Sequence, residues 1–131
     1  MAEWLSDEWL KEVAGLAGSR PALPGGTGTV SVSVVLGKGR DAAYHWRYQD
    51  GRPGEGGAGA AADPDLALVI ERADARAVLA GDVTPSVAFM RGRLKASGDG
   101  GLLLNLLKST SGQGYQQWRR KVVDLTDVED S

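Results

Sequence analysis

A chain of 131 residues, 42% hydrophobic and 24% charged, can bury one core and is too short for two ordinary domains. Its net charge of −2 speaks against the basic footprint that non-specific nucleic-acid binding needs, and the absence of cysteine excludes disulfides, thiol catalysis and cysteine–metal sites. Asp124, Asp127, Glu129 and Asp130 concentrate acid at the end, so the chain reads as a mildly basic domain over 1–123 with an acidic tail over 124–131, whose end, Asp127–Ser131, is expected to fray.

The acids and tryptophans of the first ten residues are wrong for a secretory or transit peptide. The longest wholly apolar run, Leu66–Ile70, is too short to span a membrane, and the expected setting is the cytoplasm.

In chain order, Leu5–Ala17 reads as a helix. Ser6 suits the N-cap, Asp7 and Glu8 suit the positive end of the dipole, Leu5 can staple onto Leu10, and Trp9, Leu10, Val13 and Leu16 recur at helical spacing. Gly18 and the stretch Pro21–Gly28 break the pattern. Thr29–Leu36 then alternates, with Val30, Val32, Val34 and Leu36 on one face and Thr29, Ser31 and Ser33 on the other, which predicts a half-buried strand. Gly37–Asp41 reads as a hairpin turn into a partner strand, Ala42–Gln49, with Tyr44, Trp46 and Tyr48 facing one way. Asp50–Ala62 is so rich in Gly and Ala that composition predicts a flexible loop.

Asp65–Glu71 predicts another strand, with Leu66, Leu68 and Ile70 on one face. Ala73–Ala80 predicts a short helix closed by Gly81, and Thr84 with Pro85 starts a second. Arg91–Ser97 alternates as a strand, with Arg91, Arg93 and Lys95 on one side and Gly92, Leu94 and Ala96 on the other. Asp99 can cap a leucine helix through Leu102–Ser109, whose first turn Gly100 and Gly101 weaken by roughly 1 kcal/mol each relative to Ala. Gln113–Asp124 predicts a last helix with Tyr115, Trp118 and Val122 on its apolar side.

This order of elements implies an α+β domain, a mostly antiparallel sheet with helices on one face. Leu102, Leu103, Leu104, Leu106 and Leu107 make the cover helix apolar almost all round, which predicts burial on more than one side. His45, the only histidine, has no companion for a metal, and Gly37-Lys38-Gly39 lacks the rest of a phosphate loop. Tyr44, Tyr48, Asn105 and Asp99 are the polar groups that an interior site could use.

The most specific segment is Val83–Asp99. Its string Ala88-Phe89-Met90-Arg91-Gly92-Arg93-Leu94-Lys95, followed by Gly98-Asp99, resembles the signature of the sterol carrier protein-2 family, with Arg93 where lysine is usual. Leu5-Ser6-Asp7-Glu8-Trp9 resembles the start of actinobacterial, stand-alone members, and Pro64-Asp65-Leu66, Arg72-Ala73-Asp74 and Leu79-Ala80-Gly81 fall in family order. The resemblance extends over about residues 3 to 123.

It implies a single α+β domain with about five strands, covered on one face by helices, with an apolar tunnel between sheet and helices and a third short strand near Gly54–Ala58. The implied function is non-enzymatic binding, and transfer, of a fatty acid, acyl chain, sterol or isoprenoid, without cofactor or metal. The expected tunnel walls are Trp9, Val32, Val34, Tyr44, Trp46 and Leu68, then Val87, Phe89 and Met90 where the short helix meets the basic strand, and Leu94, Leu103, Leu106 and Leu107. Gly92 is expected to let backbone or ligand approach the sheet closely. Expected partners are the hydrophobic ligand and an anionic membrane surface met by Arg91, Arg93 and Lys95, with no nucleic acid. Two other readings stay open: an isomerase or cyclase of secondary metabolism using the same cavity, and a homodimeric interaction module packed through Thr29, Ser31 and Ser33.

Overall fold

The computed structural model of the chain describes residues 2–127. Its elements are β1 (Ala2–Glu3), α1 (Asp7–Gly15), a 3-10 turn (Ala17–Ser19), β2 (Gly28–Gly37), β3 (Arg40–Gln49), β4 (Arg52–Ala58), β5 (Leu66–Glu71), α2 (Arg72–Ala80), α3 (Pro85–Met90), β6 (Leu94–Gly98), α4 (Gly100–Ser109), α5 (Gln113–Asp124) and β7 (Thr126–Asp127). Five strands form one open sheet in the order β4-β3-β2-β5-β6. Every neighbouring pair is antiparallel except β2 with β5, which run parallel.

That parallel pair follows from the crossover. After β4 the chain must return across the sheet to place β5 on the far side of β2. It crosses the back face, where the Ser31 hydroxyl accepts from the Ala61 N–H at 3.0 Å and His45 Nδ1 meets the Gly59 carbonyl at 2.9 Å. Ser31 is therefore buried, and His45 serves to pin the crossover. The back face that a Thr29–Ser31–Ser33 dimer would use is partly covered by the protein's own chain.

Helix starts follow the capping residues. The side chains of Ser6, Thr84 and Asp99 accept from the backbone N–H of Trp9, Val87 and Leu102. The inward face of the sheet is apolar because alternation puts Val30, Val34, Trp46, Tyr48, Leu68 and Ile70 there, packed with Leu102, Leu106 and Leu107 of α4. A second apolar cluster joins Trp4, Trp9, Leu10 and Val13 to Tyr115, Trp118 and Val122 of α5. Leu5, Leu36, Tyr44 and Ala75 touch both clusters.

Four expectations need correction. Residues 52–58 are an edge strand paired with β3, the strand that the resemblance implies and not the flexible loop that composition predicts. The glycines are there for space: a Cβ on Gly56 would stand 2.6 Å from the Ala14 carbonyl oxygen and 2.9 Å from that of His45, so the end of α1 rests directly on the strand. The basic strand begins only at Leu94, because α3 ends at Met90 with Arg91 as its C-cap and Gly92 turns the chain at φ +73°. Arg91, Arg93 and Lys95 are exposed but are not a stripe at strand period, and Gly92 serves the turn, since a Cβ there would meet nothing within 4 Å. The leucine helix is buried on one side only: Leu104 is 67% exposed, facing away from the sheet. Finally, Asp127, read as the start of the frayed end, pairs in parallel with Glu3, next to the pair of Thr126 with Ala2, and Thr126 is buried. Glu129 and Asp130 lie outside the described residues.

The packing at Gly56 can be measured. Gly56→Ala is expected to cost about 1–3 kcal/mol in urea denaturation, because the methyl displaces backbone and not a flexible side chain. Gly54→Ala, whose methyl meets nothing closer than the Arg47 carbonyl oxygen at 3.5 Å, is the control and stays within experimental error. Equal effects at the two positions would contradict the packing argument.

Candidate functional site

The two apolar clusters do not close on each other. Between them lies a cavity of about 140 Å³, partly open to solvent. The sheet contributes Val32, Val34, Tyr44, Trp46, Leu68, Ile70 and Leu94. Helices α2, α4 and α5 contribute Ala75, Val78 and Leu79, then Leu106, Leu107 and Thr110, then Tyr115, Trp118, Arg119 and Val122. The N-terminal segment adds Trp4, Leu5, Trp9, Val13 and Arg20, and Pro85 completes the wall.

Of the residues proposed as walls from sequence, Trp9, Val32, Val34, Tyr44, Trp46, Leu68, Leu94, Leu106 and Leu107 are brought together around this space. Val87, Phe89, Met90 and Leu103 are placed elsewhere. Helix α3 is a turn and a half long and turns only Ala88 fully inward. Phe89 and Leu103 pack, half-buried, against the sheet core, Val87 is exposed, and Met90 is 82% exposed.

Sequence reasoning missed Arg20, Tyr115, Trp118 and Arg119 as wall residues, along with Trp4 and α2. Arg20 sits in the irregular segment after α1, where no periodicity assigns a direction. The aromatic spacing of α5 did mark an inward face, but nothing in it said that this face borders open space.

The polar groups of the wall are few. The Arg20 guanidinium carbon lies 3.6 Å from the Trp46 ring centroid and 3.8 Å from that of Trp118. Its Nη2 donates to the Tyr44 hydroxyl at 3.3 Å. Tyr44 in turn stacks on Trp46 at 5.7 Å and meets Trp9 edge-on at 6.3 Å. Arg119 is spent on structure: Nη1 donates to the Leu79 carbonyl at 2.8 Å and Nε to Gln116 Oε1 at 2.9 Å, which ties α5 to the end of α2. Trp9 Nε1 donates to Thr126 Oγ1 at 2.7 Å, and the Thr126 hydroxyl donates to the Val122 carbonyl, so the chain's two ends are latched beside the cavity.

Of the interior polar candidates, only Tyr44 faces the space. Asn105 Nδ2 donates to the Pro24 carbonyl at 3.0 Å, Asp99 caps α4, and Tyr48 is fully buried behind the wall. Burial pushes the Tyr48 hydroxyl above its ordinary range, with Arg20 opposing. Burial pushes Tyr115 up to about 12, again against the positive charge of Arg20 and Arg119. Among the described residues, no carboxylate, histidine or lysine lines the cavity and no group of metal-ligating side chains occurs. No helix among them is long and apolar enough to cross a membrane.

Against this geometry, known folds can be compared. No family model and no curated protein matches the chain. Solved structures do. A conserved hypothetical protein of Thermus thermophilus, suggested to be a sterol carrier protein, superposes with a TM-score of 0.71 at 21% identity, over 92% of this chain and 90% of its own. A sterol carrier protein 2 crystal structure gives 0.69 at 17% identity, over 89% and 98%. Palmitated sterol carrier protein 2-like 2 from Aedes aegypti gives 0.57 at 18% identity, over 80% and 90%. The chain has the sterol carrier protein 2 fold: an α+β domain with an open, mostly antiparallel five-stranded sheet.

The buried tyrosine gives a pH prediction. Tyr115 keeps its proton in the folded state up to about pH 12, whereas the unfolded chain releases it near the usual value of 10.0. Its contribution is fully present below pH 10 and is lost as pH climbs towards 12, amounting to roughly 2–3 kcal/mol. Tyr115→Phe should flatten the fall of urea stability with pH in that window. Identical slopes for the two proteins would contradict the burial argument.

Proposed function

We propose that the protein binds a hydrophobic small molecule in the cavity between the sheet and its covering helices, and hands it on without chemical change. The observation that carries this reading is the cavity itself, an apolar space left between two well-packed clusters. The comparisons supply a consistent precedent, since one protein of this fold carries palmitate. The absence of carboxylate, histidine and lysine from the wall favours binding over isomerase or cyclase chemistry, because a general base near neutral pH has no candidate there.

The size of the space bears on the ligand. A dry apolar cavity of about 150 Å³ takes up benzene, so the space here holds a ring or a short run of methylenes. A longer chain extends through the opening or spreads α4 and α5 from the sheet. Burying roughly 300 Å² of ligand at about 25 cal/mol per Å² gives a gross term near 7.5 kcal/mol, which association costs reduce to micromolar affinity. Walls of Val, Leu and Trp discriminate weakly among apolar shapes, so broad specificity is expected. Exchange at an anionic membrane is the companion proposal: Met90 projects beside exposed Arg91 and Arg93, each cation contributing on the order of 1 kcal/mol near such a surface.

Protein purified without detergent should bind a fluorescent fatty acid with micromolar affinity, and native mass spectrometry should show a bound species. Val32→Phe, which fills the space from a half-buried position, should weaken binding at least tenfold while the protein stays folded. A wild-type protein that binds no such ligand would overturn the reading.

A further inference from the structure

One wall of the cavity is held less firmly than the others. Ala75, Val78 and Leu79 of α2 face the space, and Pro85 follows them, yet all four are only half-buried. Helices α1, α4 and α5 each bury at least three side chains, whereas α2 buries none. Lifting α2 therefore uncovers little apolar surface that the cavity has not already left bare, and elements with few buried contacts open first. Both ends of α2 suit such a movement. At the start, β5 passes straight into the helix at Glu71, and no side chain caps it. At the finish, Gly81 turns the chain in the left-handed region, at φ +85°, before the link to Thr84.

What holds α2 down at that end is polar. The last carbonyls of a helix lack intrahelical partners and carry the negative end of its dipole, and the last turn of α2 has no basic residue of its own. Arg119 of α5 supplies the charge. Its Nη1 donates to the Leu79 carbonyl at 2.8 Å, and its guanidinium lies so near Gly81 that a Cβ there would stand 3.0 Å from Cζ. Gln116 Oε1 accepts from Arg119 Nε at 2.9 Å and aims the fork. At the other end the Arg72 guanidinium stands 5.6 Å from the Trp4 ring, near the outer limit of a cation–π contact. We propose that α2 is the door of the cavity and Arg119 its latch: a ligand enters and leaves as α2 swings from α5, turning about Glu71 and Gly81. The proposal rests on the cavity being a ligand site and adds the route into it. Empty and occupied forms both carry the latch when closed, so it sets the rate of exchange and leaves affinity nearly unchanged.

The test joins hydrogen exchange of the full chain to stopped-flow binding and release of the fluorescent fatty acid cis-parinarate. In the ligand-free wild-type protein the amides of residues 76–81 should exchange at least tenfold faster than the hydrogen-bonded amides in the middle of α1, α4 and α5. Gly81→Ala drives a methyl into the Arg119 guanidinium, a flexible group that yields before the backbone does. It should raise the rates of association and release together, at least fivefold, while Kd changes less than twofold. Gln116→Ala, which frees the fork, should raise both rates by a smaller factor. Release that quickens without association, rates unchanged in both variants, or exchange at 76–81 as slow as in α4 would overturn the door and leave the cavity reading intact. Failure of the wild-type protein to bind cis-parinarate would overturn the cavity reading as well. The exchange measurement on wild-type protein decides the matter even if the variants do not fold.

Discussion

One cation joins the two halves of this interior. Trp46 belongs to the cluster built on the sheet, Trp118 to the cluster built on α1 and α5, and the Arg20 guanidinium contacts both rings. Each such contact contributes about 0.5–2 kcal/mol, more as water is excluded. A hydrocarbon side chain at that position would let the clusters fuse by ordinary packing. A guanidinium cannot be buried that way, so it bridges the clusters here by its flat faces, while Leu5, Leu36, Tyr44 and Ala75 join them by ordinary packing elsewhere. The hollow beside it is then a consequence of how the halves are joined.

The same constraint explains the distribution of polar groups. The termini are latched by Trp9, Thr126 and Val122, the crossover by Ser31 and His45, and α5 by Arg119. Each of these polar contacts closes a seam of the structure. The polar atoms left unmatched lie around Arg20 and on the two tryptophans it touches.

Much of this was legible in the residues, and the failures have physical causes. Alternation gave β2, β3 and β5 because one face of each is buried and the other is not. The caps at Ser6, Thr84 and Asp99 were readable because capping is a local interaction. Strand β4 was legible through the resemblance and not through composition, because its glycines answer to the end of α1 lying on the strand, a contact between distant parts of the chain. The string Ala88-Phe89-Met90 marked the fold without marking the wall: its conformation is set by α3, which is too short to turn more than Ala88 fully inward. Arg91 to Arg93 alternate in polarity as a strand does, yet they form a turn, since so short a pattern cannot be told from an irregular link. Arg20 could not be found at all. Nothing in its neighbours reveals two indoles that arrive from β3 and α5.

The fold of sterol carrier protein 2 constrains what the chain can do but does not choose the ligand. That choice lies with a small apolar space, a partial opening and one charged edge. The most direct measurement is the indole N–H spectrum of detergent-free, ¹⁵N-labelled protein during titration with decanoate. If a hydrocarbon enters between the clusters, the Trp46 and Trp118 indole signals should shift together and saturate at micromolar to low-millimolar ligand. Signals that stay fixed across that range would mean that the space admits no ligand, and the account would fail.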